Sequence, residues 1–226
     1  MSAAPQAAIV VWFRQDLRLS DNPALTHAAR SGLPVVPVYI LDDQTPGPWA
    51  PGGASRWWLH HSLAALSQAL AGLGCPLMLR RGRADVVLHT LVRETGAKAV
   101  VWNRCYEPHA VARDSALKAG LKAEGVAVDS FNSALLAEPW TVKTGTGAPY
   151  KVFTPFWKAV REGLDPGQPL APPGHWPPCP PHRMATGWRT GGCCPPSPTG
   201  PTACAGPGHR ARPVPISACG ISWRGP

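Results

Sequence analysis

The chain has 226 residues with 22 Lys/Arg against 13 Asp/Glu, a net charge of +9, and 28 prolines and 7 cysteines. It is two compositions joined end to end: residues 1–165 hold every acidic residue and a net +4, while residues 166–226 carry five Arg, no acid, 16 prolines and five cysteines. No run of about 18 apolar residues exists to span a membrane. The N-terminus lacks the basic and apolar regions of a secretory signal. With only Cys75 and Cys105 in the first part, the chain reads as a monomer of a reducing, cytoplasmic compartment rather than a disulfide framework.

Residues 7–13 (AAIVVWF) form a short apolar run, the pattern of a strand buried on both faces. Ser20 and Asp21 can cap a helix that runs to Arg30, with Pro23 near its first position. Residues 33–41 (LPVVPVYIL) predict a second strand, poorly paired at its start because of Pro34 and Pro37. A turn-rich loop leads to a helix over 54–72, where Trp58, Leu59, Leu63, Leu66 and Leu70 recur at helical spacing. The alternation continues with a strand at 75–80, a helix at 84–94, a strand at 98–102, a helix at 109–123 and a strand at 126–131. Such alternation predicts an α/β fold with a five-stranded, mainly parallel, doubly wound sheet. Ligands of these sheets sit beyond the carboxyl ends of the strands, near the switch in strand order. Residues 133–150 read as an irregular connection, and 154–161 can begin a further helix.

After residue 165 the rhythm stops. Leu170, Met184, Val214, Ile216 and Ile221 are the only aliphatic core material there, too little to offset the entropy of ordering the segment. The expectation is a disordered tail. Its mixture of Cys, Trp, Arg, Pro and Gly is what a shifted reading frame yields in a GC-rich gene, the other reading being a genuine tail. Its cysteines show no CxxC pair, and no metal site is expected anywhere in the chain. No internal repeat is present.

The loop 12–25 (WFRQDLRLSDNPAL) places Arg14, Asp16 and Arg18 at the carboxyl end of the first strand. Their alternating charges either lock the loop in a local ion-pair network or face a ligand. Neither a dinucleotide-type glycine turn nor a P-loop follows this strand. Glu107 and Arg113, at the end of the fourth strand and start of the next helix, are a second candidate pair, structural or lining the cleft. No set of side chains argues for a catalytic site.

The loop 12–25 resembles the opening signature of the DNA photolyase/cryptochrome family. VYILDD at 38–43, WNRCYEPHAVARD at 102–114 and GAPYKVFTPFWKA at 147–159 agree in order and spacing. The resemblance covers about residues 8–162 and is strongest to bacterial photolyases that act on cyclobutane pyrimidine dimers. It implies an α/β antenna domain over 6–135, an interdomain connection over 136–163, and a tail over 164–226 where the family continues into a helical domain. In the family that helical domain holds FAD and damaged DNA, while the α/β domain holds an antenna chromophore. Asp42 matches the strand-end Asp of the deazaflavin branch. His109 and Ala110 stand where folate-binding members carry an Asn-Glu contact pair, and Gln15 where the deazaflavin branch carries Arg. The chain is thus expected to be a light-harvesting domain, inactive alone, binding DNA only weakly and without specificity. The rival expectations are a free-standing nucleotide- or chromophore-binding module and a gene product without function.

Overall fold

The structure, a computed structural model, describes residues 7–174. Its order is β1 (Ala8–Phe13), α1 (Pro23–Arg30), β2 (Val35–Leu41), α2 (Gly53–Gly72), β3 (Met78–Arg81), α3 (Ala84–Thr95), β4 (Ala97–Asn103), α4 (Pro108–Ala123), β5 (Ala127–Phe131) and α5 (Phe153–Gly163). The five strands make one sheet in the order β3-β2-β1-β4-β5, every pair parallel. The expected α/β, doubly wound sheet is therefore present, and it is wholly parallel.

Every residue of β1 is buried, as a central strand covered on both faces requires. Its alternate side chains serve two cores. Val10 and Trp12 join Val38, Ile40, Val100 and Trp102 against Leu88 and Leu91 of α3 and Leu117 and Leu121 of α4. Ile9, Val11 and Phe13 join Leu25 of α1 and Leu63, Leu66 and Leu70 of α2. Helices α1 and α2 thus cover one face, α3 and α4 the other. The winding direction reverses between β1 and β4, so the crevice of this sheet opens at their carboxyl ends.

Three local expectations are corrected. The cap of α1 is Asn22, whose side chain accepts the Leu25 N–H, rather than Ser20 or Asp21. Strand β3 starts at Met78 instead of residue 75, because the Cys75 N–H donates to the Leu70 carbonyl at the end of α2 and Pro76 has no N–H to offer. The early part of β2 is paired with β1 from Val35 onward; only its pairing with β3 waits until Val38, one residue past Pro37. At the sharpest turn, Gly96 takes φ 65° to end α3, its N–H closing on the Val92 carbonyl, and β4 begins at the next residue.

After α5 the chain runs on without regular structure to residue 174, so the segment boundary expected at 163–164 falls inside the described residues. The rest of the expected tail, 175–226, lies outside them, as does the reading-frame expectation attached to it. Among the described residues no helix is long and apolar enough to cross a membrane.

Candidate functional site at the carboxyl edge of the sheet

Where β1 ends, Arg14 turns into the crevice with only 9% of its surface exposed. Its Nη1 reaches Asp114 Oδ2 of α4 at 2.5 Å, its Nη2 donates to the Asn103 carbonyl at the end of β4, and its guanidinium lies 4.7 Å from the Trp12 ring. Arg113 closes on the other carboxylate oxygen of Asp114 at 2.9 Å. One buried carboxylate is thus held by two guanidinium groups, each of its oxygens accepting from one of them, which offsets its desolvation.

Asp16 organises the loop itself. It accepts the Arg14 backbone N–H at 2.8 Å and the Asn103 side-chain amide at 2.6 Å. Asn103 also donates to Asn22 Oδ1 at 2.7 Å and accepts the Ala24 N–H at 3.1 Å. The start of α1 is therefore pinned to the end of β4 through side-chain amides. Arg18 turns outward: it donates to the carbonyls of Asp21 and Ser133, both at 2.9 Å. Asp21, at φ 48°, donates its N–H to the Leu170 carbonyl at 2.7 Å. Residues 18–21 thereby hold the chain that follows β5 at two distant points.

Of the two readings of Arg14, Asp16 and Arg18, the local one is met in part: the three charges do not pair with one another, but Asp16 accepts the Arg14 N–H and Arg18 pairs with Asp21 inside the loop at 3.8 Å, while Asp114, Asn103 and Ser133 supply distant partners. The expected pair of Glu107 with Arg113 is not formed either. Glu107 accepts from Gln15 at 2.8 Å, which holds its carboxyl below the ordinary range, while Arg113 is taken by its neighbour Asp114. Sequence reasoning missed Asn22 and Asn103, and placed Asp114 one turn into the helix after the fourth strand without its pairing to Arg14. The one available signal was the Asn-Pro step at 22–23, a cap followed by proline at the first helical position.

Asp42 ends β2 with both oxygens in use. Oδ1 accepts the N–H groups of Gln44 and Thr45, and Oδ2 accepts the Thr45 hydroxyl at 2.5 Å and the Ala84 N–H at 3.0 Å. Burial pushes its pKa up, but these hydrogen bonds outweigh burial and hold it below the ordinary value. Asp42 thus fixes the β2–α2 loop and the first turn of α3. Trp49 in that loop and Trp57 and Trp58 in the early turns of α2 are 81%, 48% and 70% exposed. Asp43, next in the chain to Asp42, sits between Arg56 at 3.4 Å and Arg81 at 3.6 Å. At the folate-contact positions, Ala110 is buried at 2% exposure and has no polar group to offer a ligand.

Most of the side chains named here hold loops, and the edge presents exposed indole faces of the kind that can pack against a planar group.

A family model described as DNA photolyase matches residues 9–177. The deoxyribodipyrimidine photo-lyase of Agrobacterium fabrum is 51% identical over 167 residues, which are 74% of this chain and 34% of that protein. Cryptochrome-1 of Arabidopsis thaliana is 43% identical over 166 residues, 73% of this chain and 24% of its own length. A bacterial class III photolyase from Agrobacterium tumefaciens superimposes with a TM-score of 0.69 at 48% identity, over 79% of this chain and 38% of that one. A Synechocystis cryptochrome shares the fold at 24% identity and a TM-score of 0.68, over 80% of this chain and 38% of its own. The chain spans about a third of the length of the photo-lyase it matches.

Proposed function

The chain belongs to the DNA photolyase family, and on that premise we propose that its α/β unit is a light-harvesting domain that holds a planar chromophore at the carboxyl edge of the sheet. The observation that carries this reading is the exposure of three indoles close in sequence, Trp49 in the loop that Asp42 anchors and Trp57 and Trp58 near the start of α2. Exposing three tryptophans to water costs burial that a core would have used, and a stacked aromatic ligand restores it. Asp42 acts here as a positioning residue, since its four acceptor contacts are already filled. The contact surface falls to the indoles and to the Asp43–Arg56 pair. Reduced folate, flavin and deazaflavin all present the required flat face; the alanine at position 110 argues against the folate contact pair.

In this reading FAD and the damaged DNA are held by the helical part of full-length relatives. The 226-residue chain alone collects light without splitting dimers, and it associates with DNA only through its excess positive charge, with a Kd on the order of 10–100 μM at physiological salt. The chromophore would supply absorption in the near-ultraviolet or blue; this chain's residues bind and orient it.

The test is a titration of the purified chain with each chromophore, read by difference absorption and by tryptophan fluorescence. The expected result is a shifted chromophore band with quenched indole emission, both weakened about fivefold or more in Trp57→Ala or Trp58→Ala. No spectral change with any of the three would refute the reading.

A further inference from the structure

A second concavity, of about 190 Å³, lies on the other flank of the edge, where α4 and β5 meet the segment after β5. It is lined by Trp102, Arg104, Tyr106, Lys118, Ser130 and Trp140, among others, and by none of the exposed tryptophans of the proposed antenna surface.

Its acids are already spent. Glu138 accepts from Arg104 Nη1 at 2.6 Å and from the Tyr106 hydroxyl at 2.7 Å. Asp114 is held by both Arg14 and Arg113. Lys118 remains. Its ammonium donates to Ser130 Oγ at 2.6 Å and stands 6.0 Å from the Trp102 ring, with no carboxylate within salt-bridge distance among the described residues. From beyond salt-bridge distance Asp114 of the same cleft favours its charge most, followed by Lys122, which opposes it, and Asp129, which favours it. Burial, then the neighbouring Arg104, lower its pKa, a cost that a bound anion would reverse. Trp102, fully buried, has an indole N–H without a hydrogen-bond partner. On the same cleft the rings of Tyr106 and half-exposed Trp140 lie 6.0 Å apart, tilted by 36°.

We propose that this cleft binds a phosphate ester carried on a planar ring, a mononucleotide in chemical class, with the phosphate on Lys118 and the ring against Tyr106 and Trp140. The Lys118 ammonium supplies the charged donor that a phosphate requires, and the Ser130 hydroxyl beside it a second one. The aromatic wall supplies stacking that every nucleobase accepts. The volume is below the ~300 Å³ at which pockets for drug-sized ligands begin, so it seats one such group while the rest of the ligand projects past Trp140. The proposal is independent of the antenna reading, because it uses different residues and a ligand without visible absorption.

The test is calorimetric titration of the full chain with AMP, with inorganic phosphate alone and with adenosine alone. The expected result is that AMP binds, that phosphate and adenosine each bind about tenfold or more weaker, and that Lys118→Gln weakens AMP about tenfold or more while Lys118→Arg retains most of it. Trp140→Ala, at a half-exposed position, should weaken AMP about fivefold or more. Absence of AMP binding at millimolar concentration, adenosine binding as tightly as AMP, or AMP affinity unchanged in Trp140→Ala would each overturn the proposal. Should Lys118→Gln fail to fold by circular dichroism, the adenosine comparison and Trp140→Ala decide alone.

Discussion

Asp16 is the residue on which the order of the edge turns. It is 7% exposed and accepts the Arg14 N–H and the Asn103 amide, neither of which has water to fall back on. Asp16→Ala should lower stability by about 2–3 kcal/mol in urea unfolding, as two buried donors lose their acceptor. Asp114→Asn should cost about 3 kcal/mol or more, because it leaves the buried Arg14 guanidinium uncompensated. An unchanged denaturation midpoint in either variant would contradict the geometry described. The charges of this loop are plain in the sequence, but their partners lie 87 and 100 residues away, at Asn103 and Asp114. Alternating signs suggest neighbours pairing with neighbours. A β1 that ends beside β4 makes the long-range partner the nearer one.

At the scale of elements, the period of the apolar residues made five strands and five helices legible, and the exceptions were backbone accounting. Pro37 sits within a paired strand because β3 does not begin until the next residue, and β3 is shortened because the α2 terminus has taken the Cys75 N–H. Asp42 shows the same accounting from the side of a side chain, joining the β2 end to the first turn of α3. Asp42→Ala should cost about 1 kcal/mol and speed amide exchange at Ala84 and Thr45, with distant helices unaffected. Because its folded pKa is lowered, its contribution is complete above the unfolded pKa and is lost as pH falls through the folded one. The wild-type chain should therefore lose more stability in that acidic range than Asp42→Ala does. Equal acid sensitivity in the two proteins would contradict this role.

For the whole molecule, two cores around one parallel sheet leave few titratable groups inside, and Tyr39 is the more buried of two tyrosines, with Tyr106, whose raised phenols weigh on alkaline stability. Burial, helped by Asp43, pushes its phenol up to about 12 from 10.0. A raised folded pKa means that stability is complete below pH 10 and is lost as pH rises toward 12. Tyr39→Phe should flatten that alkaline decline, followed by thermal unfolding across the range; an identical decline would place the cause elsewhere. The family was legible because its aromatic and proline spacings, as in GAPYKVFTPFWKA, follow from no general helix or strand rule. The exposed indoles and the Lys118 cleft were not, since exposure and convergence across α4, β5 and the chain after them appear only once the sheet is wound. The central claim is that this chain harvests light and does not itself repair. Splitting a dimer needs an electron donor in contact with a flipped base, which in the proposed reading the helical part of full-length relatives supplies. The direct measurement is illumination of a dimer-containing oligonucleotide with the purified chain, FAD and a reductant, counting the dimers that remain. The account predicts loss no faster than in a control with FAD and reductant alone; light-dependent loss clearly above that control would contradict it.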